Sequence, residues 1–271
     1  MGVLFRNSRR KLSQGLLFWL EVGEGTPVVF LHGAWHDSSQ WVSVMDLLAE
    51  NIHCLTPDLL GFGESESPNI HHSIDLQVEC ISELIEALKL EKVYLVGDSL
   101  GGWIAASYAL KYPEKTNGLV LLEPEGVGIK GQENSWQKEQ KLFNCPPLIF
   151  KILRLLAPLI KLIGWEKRIS ENLQLRQKLL QYSTACQLLF NRQALEIEAE
   201  LLHNRLYSLE VPCLILQGGQ DTPNALDKSH NYARLIPKVD FKIIAHGENN
   251  LPESCAGVVA EYIRDFVQEN C

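Results

Sequence analysis

A serine flanked by glycines, Gly97-Asp98-Ser99-Leu100-Gly101, lies between a run of strand type, Val93-Tyr94-Leu95-Val96, and a helical stretch from Leu100 to Tyr112. A strand that turns this sharply into a helix holds the residue between them in strained backbone geometry with its side chain exposed, the construction called a nucleophile elbow. The two arms of such a turn nearly touch, and Gly97, Gly101 and Gly102 supply the small residues they require. The chemistry indicated is attack by the Ser99 hydroxyl on a carbonyl carbon. The five-residue motif alone is a weak signal. The strand before and the helix after give it weight, and the rest of the chain must then supply an oxyanion hole, an acid and a base.

The elements that would position this serine alternate between short apolar runs and helical periodicities, the pattern of a mostly parallel sheet with helices on both faces, an α/β fold. Strands are expected at Val28–Leu31, Ile52–Leu55, Val93–Val96, Leu119–Leu122, Leu214–Leu216 and Phe241–Ala245, with an edge hairpin over Lys11–Val22. Leu76, Cys80, Ile81, Leu84, Ile85 and Leu88 recur at helical spacing. From about Gly126 to Leu209 the strand signal disappears, so residues 126–209 read as a helical cap inserted between two core parts, 1–125 and 210–271.

A chain of 271 residues that is 46% hydrophobic can bury a core of this size. Its net charge of −8 provides no global positive field, which argues against nucleic acid as the main partner. The cysteines number seven and show no C-x-x-C spacing, so a reduced compartment is expected rather than a disulfide scaffold or a zinc site. Met1–Lys11 contains no apolar run of signal-peptide length, and Arg6 stands where a myristoylation signal has Ser or Thr. The expected location is the cytoplasm. The pair His71-His72 and the scattered His53, His203 and His230 lack the spacing of a metal site.

In order along the chain, Leu31-His32-Gly33-Ala34-Trp35, Pro57-Asp58-Leu59-Leu60-Gly61-Phe62-Gly63-Glu64-Ser65, the elbow, Gly218-Gly219-Gln220-Asp221 and a last helix over Val258–Phe266 resemble the α/β-hydrolase superfamily, over nearly the full length. The resemblance implies that the backbone N–H groups of Ala34 and Leu100 form the oxyanion hole. It implies that Asp221 is the acid that orients a catalytic imidazole, with Glu123, directly after Leu121-Leu122, as the alternative. His32 is read as plugging its loop, and Asp58 with its glycines as a structural turn. No cofactor and no metal are implied.

The base departs from the pattern. Counting forward from Phe241 and back from Phe266 puts Asn249 where the family carries its histidine, and an amide cannot accept the serine proton. His246 is the nearest substitute. A rewired loop, a loss of hydrolysis and a deliberate substitution would each produce this sequence.

Between Pro147 and Trp165 a helix would carry Lys151, Arg154, Pro158, Lys161 and Trp165 on one narrow stripe and an aliphatic face elsewhere. Two readings follow: a lid over an apolar pocket, or an interfacial helix making peripheral membrane contact. Either implies a small hydrophobic substrate or ligand. The expected function is a serine hydrolase acting on a hydrophobic carboxylic ester through an acyl-enzyme, impaired to the extent that Asn249 replaces the base. A noncatalytic binder of apolar ligands and a cofactor-independent lyase on the same scaffold are the alternatives.

Overall fold

The computed structural model describes residues 4–128, 136–146, 149 and 166–270. The expectation for the helix over 147–165 falls outside these residues, Ile149 excepted. Eight strands form one sheet: β1 (Arg6–Lys11), β2 (Leu16–Val22), β3 (Thr26–Leu31), β4 (Ile52–Pro57), β5 (Val93–Asp98), β6 (Thr116–Leu122), β7 (Cys213–Gly218) and β8 (Val239–Ile244). Their spatial order is β1-β2-β4-β3-β5-β6-β7-β8. The pairs β1–β2 and β2–β4 are antiparallel, and every pair from β4–β3 to β7–β8 is parallel.

The hairpin lies upstream of its expected bounds, because Lys11 ends β1 rather than opening the hairpin and pairs with Leu16. The strand Arg6–Lys11 is solvated along almost its whole length. It therefore carries no alternation of apolar and polar residues to read, and its charges blunt an exposed sheet edge.

Parallel strands covered on both faces must be apolar throughout, and β5 and β7 are buried at every residue. One face packs on α1 (Val42–Leu48) and the C-terminal helix Ala256–Glu269, where Phe30, Val96 and Leu122 meet Trp41, Met45, Ile263 and Phe266. On the other, α2 (Ile74–Ala87) packs against α3 (Leu100–Lys111). Helix α3 is buried over Leu100–Ala109 on all sides, so it has no polar face to turn outward.

The chain divides into two compact units, Met1–Ile129 with Glu200–Cys271, and Lys130–Ala199. In the first unit Leu202 N–H donates to Gly126 O at 2.8 Å. The described part of the second unit is helical, comprising α4 (Gln137–Phe143), α5 (Glu166–Gln181), α6 (Ser183–Leu189) and most of α7 (Ala194–Glu200). Among the described residues no helix is long and apolar enough to cross a membrane.

Candidate active site

Ser99 stands between β5 and α3 with φ 49° and ψ −108°, a backbone conformation that L-residues rarely adopt. The surroundings over-determine it. Ser99 N–H donates to Leu122 O at 2.8 Å, and Ser99 O accepts from Trp103 N–H at 3.2 Å and Glu125 N–H at 3.0 Å. A Cβ on Gly97 would stand 2.4 Å from Gly101 O, and one on Gly101 would stand 2.2 Å from Leu31 O. Bare backbone is thus required on both arms of the bend. Strain of this kind costs about 1–3 kcal/mol, so Ser99→Gly is expected to be about 1 kcal/mol more stable than Ser99→Ala once glycine's extra chain entropy is deducted. Paired thermal melts of the two variants measure the difference.

The close approach of Gly101 to Leu31 and His32 sets the loop after β3 against the elbow. Ala34 and Leu100 are both buried in this region. Leu100 opens α3, so its N–H belongs to the first turn, which has no intrahelical acceptor and carries the positive end of the helix dipole. Ala34 follows Gly33, whose N–H is held by Gln40 Oε1 at 2.8 Å and whose carbonyl accepts from His36 N–H at 3.3 Å.

His32 plugs this loop. Its Nδ1 lies 2.9 Å from Gly33 O and its Nε2 accepts from Leu59 N–H at 3.1 Å, so both ring nitrogens are committed to backbone. Burial holds its pKa below the usual imidazole value, and the ring is neutral. Asp58 is a turn residue in the same sense, accepting from Ser38 N–H at 2.7 Å and Glu64 N–H at 2.6 Å.

The two acid candidates are used differently. Asp221 accepts from the N–H of its neighbour Thr222 at 2.5 Å and from Gln217 Nε2, at the end of the preceding strand β7, at 3.3 Å, both within five residues of chain. Glu123, at the end of β6 with φ 48°, reaches across the sheet ends. Its Oε1 accepts from Gly218 N–H at 3.2 Å and its Oε2 from Asn250 N–H at 3.3 Å. Burial, and then the charges of Asp98 and Asp221, push its carboxyl up to about 9, which leaves it protonated at neutral pH.

On the loop after β8 the structure separates two adjacent asparagines. Asn249, the position counted to the family histidine, is exposed, and His246 is an exposed residue of the turn following β8. Asn250 instead turns inward at φ 64°, where its Oδ1 accepts from Gln40 Nε2 at 2.9 Å and its Nδ2 donates to Glu253 Oε2 at 2.7 Å. Glu253 Oε1 in turn lies 3.7 Å from His36 Nδ1. Gln40, Asp98, Asn250, Glu253 and His36 are site residues that sequence reading missed. The one local signal was Asn250 before Leu251-Pro252, a helix start with proline near its first position.

Asp98, one residue before Ser99, is buried and pushed up to about 7, first by desolvation and then by Asp221 and Glu253, against a lowering bond from Gln40. Its Oδ2 accepts from Gln40 Nε2 at 3.0 Å, while Oδ1 has no hydrogen-bond partner among the described residues. A carboxyl whose folded pKa exceeds its unfolded value of 3.8 binds a proton more tightly when folded, so it contributes stability below pH 4 that is lost as pH rises through 7. Asp98→Asn keeps the acceptor for Gln40. It is expected to melt several degrees above wild type at pH 8 and to close that gap at pH 4, measured by calorimetry across the range. Among the described residues no group of three His, Cys, Asp or Glu side chains could hold a metal ion.

The alpha/beta hydrolase fold family matches residues 26–144, a stretch that includes the elbow. A 2-hydroxy-6-oxo-2,4-heptadienoate hydrolase of Pseudomonas putida is 33% identical over 134 residues, which are 46% of this chain and 48% of that protein. A monoacylglycerol lipase of Homo sapiens is 26% identical over 257 residues, 90% of this chain and 76% of the relative. The chain thus spans about half, or less, of the length of the first curated relatives it matches, 48% and 31%. The fold is shared with a putative lipase from Acinetobacter baumannii (TM-score 0.77, 19% identity, covering 98% of this chain and 91% of that one). It is also shared with an esterase from Thermogutta terrifontis (TM-score 0.73, 22% identity, covering 97% and 98%). The family match spans β3–β6, less than half of the chain, and the structural likeness shows that the chain as a whole has the fold of these hydrolase structures.

Proposed function

We propose that the protein is a serine hydrolase that acts on carboxylic esters with an apolar acyl chain by way of an acyl-enzyme. The observation that carries this reading is the Ser99 backbone at φ 49° and ψ −108°, strain retained at the position where a hydroxyl would meet an ester carbonyl. Ser99 Oγ adds to that carbonyl, and the oxygen that gains charge is received by the amides of Ala34 and Leu100. The alcohol departs, and water then releases the acid. The apolar acyl preference is supported by the lipase names of the human relative and of the Acinetobacter structure.

Proton transfer is the slow part. Asn250 cannot take the proton, so it passes to solvent during attack and returns from solvent to the leaving alkoxide. Loss of a triad base lowers turnover by about a millionfold in a serine hydrolase, while the oxyanion donors and binding alone retain about 10³–10⁴ over water. Slow turnover is therefore the expected behaviour. A fluorophosphonate probe should label the wild-type protein at Ser99, located by peptide mass spectrometry, and should leave Ser99→Ala unlabelled. Absence of both labelling and p-nitrophenyl butyrate turnover in the folded wild type would remove the proposal.

A further inference from the structure

The side-chain amide of Gln40 is 1% exposed and lies in the 3-10 turn Ser38–Trp41. Its orientation follows from its partners. The Gly33 N–H at 2.8 Å can only donate, so it must face Oε1, and that turns Nε2 towards two oxygens, Asp98 Oδ2 at 3.0 Å and Asn250 Oδ1 at 2.9 Å. The three bonds go to three separate segments. Gly33 immediately precedes Ala34, Asp98 immediately precedes Ser99, and Asn250 is the inward-turned residue before the short helix Leu251–Ser254. The fit between the first two is close, since a Cβ on Gly33 would stand 2.5 Å from Asp98 Oδ2.

We propose that Gln40 is the positioning residue of the Ser99 site, tying the Ala34 amide, the elbow and the Asn250 loop into the one arrangement that reacts. This rests on the reading of Ser99 as nucleophile. The elements are joined by nothing local, since Gln40 is 58 residues from Asp98 and 210 from Asn250. A buried amide that satisfies three polar groups at once is also hard to replace, because each lost bond strands a desolvated partner.

The tie has an electrostatic consequence. The groups that act on Asp98 are Asp221 after β7 and Glu253 on the Leu251–Ser254 helix, which disfavour its charge, and Gln40, which favours it; Glu123 at the end of β6 is itself raised by Asp98. Removing the Gln40 donor leaves the ionised form of Asp98 with less support, so its titration moves to higher pH.

The test compares wild type, Gln40→Leu, Gln40→Glu and the double variant Gln40→Glu/Asp98→Asn. Fluorophosphonate labelling rates at Ser99 are followed from pH 5 to 9, with thermal melts to establish folding. Gln40→Leu should slow labelling about 100-fold, as a displaced oxyanion donor does, and should move the inflection near pH 7 upward. Gln40→Glu puts a second carboxylate beside Asp98 and should be at least as slow. In the double variant the amide introduced at position 98 can donate to the carboxylate introduced at position 40, which still accepts from Gly33 N–H, and labelling should recover about tenfold.

A folded Gln40→Leu protein that labels at the wild-type rate with an unmoved inflection would overturn the proposal, as would a double variant no faster than Gln40→Glu. Should the wild type refuse the probe, the nucleophile reading fails separately, and positioning is read from hydrogen exchange. Gln40→Leu should then speed exchange together in peptides covering residues 31–36 and 247–253. Acceleration in neither segment, or in one alone, defeats it.

Discussion

Asn250→His is expected to hydrolyse p-nitrophenyl butyrate at least about 100-fold faster than the wild-type protein, a part of the roughly millionfold that a triad base supplies. Asn249→His is expected to change nothing. The two positions are neighbours in the chain, but only Asn250 turns inward, with its backbone N–H 3.3 Å from Glu123 Oε2 and its side chain bonded to Gln40 beside Asp98. Asn249 is exposed. Histidine tolerates the left-handed backbone that Asn250 occupies at φ 64° better than most residues do. An imidazolium formed at position 250 would also find Glu123 as its counter-charge, which would draw that carboxyl down from about 9 towards its ordinary range. Steady-state kinetics of the two variants, with His246→Ala as a third that leaves the rate unaltered, decide the matter. A gain at 249 without one at 250 would refute the assignment of the inward position.

Gly101→Ala should be nearly as disruptive in the other direction, lowering stability by about 3 kcal/mol and Ser99 labelling by about 100-fold. The added Cβ would stand 2.2 Å from Leu31 O, 2.5 Å from Leu31 C and 2.8 Å from His32 O. These are backbone atoms at the end of a central strand and cannot swing aside as a side-chain tip would. Relief requires α3 to withdraw from β3, which carries the Leu100 amide away from Ala34. At about 2–4 °C per kcal/mol for a chain somewhat shorter than this one, the melting temperature should fall by roughly 6–12 °C. Gly257→Ala is the matched control, since nothing lies within 4 Å of its Cβ, and it should melt no lower than wild type.

The elbow was readable because everything that makes it is contiguous: an apolar strand, glycines on both arms, and a helix of small residues starting at once. The same holds for the central parallel strands β5 and β7, whose complete burial leaves short apolar runs. It fails for Arg6–Lys11, where an exposed edge strand has no apolar face to show.

Candidate roles beyond the serine were legible only as alternatives. Asp221 and Glu123 each follow a strand, and no nearby residue distinguishes an acid that closes its own turn from one that reaches another loop. Glu123 meets Asn250 across 127 positions of sequence. Counting residues through the loop after β8 likewise reached Asn249, one short of the inward residue, because a turn over Ile244–Gly247 and a left-handed residue at 250 decide which side chain faces the sheet ends. Gln40 carried no signal at all.

Chain order alone thus specified the strand–turn–helix that presents Ser99, because steric demands between adjacent residues are written in adjacent letters. The choice of Asn250 over Asn249, the contrast between Glu123 and Asp221, and the three-way bond of Gln40 arise from hydrogen bonds between segments far apart in the chain. Such pairings depend on where strand ends meet in space, and that is settled only when the sheet is assembled.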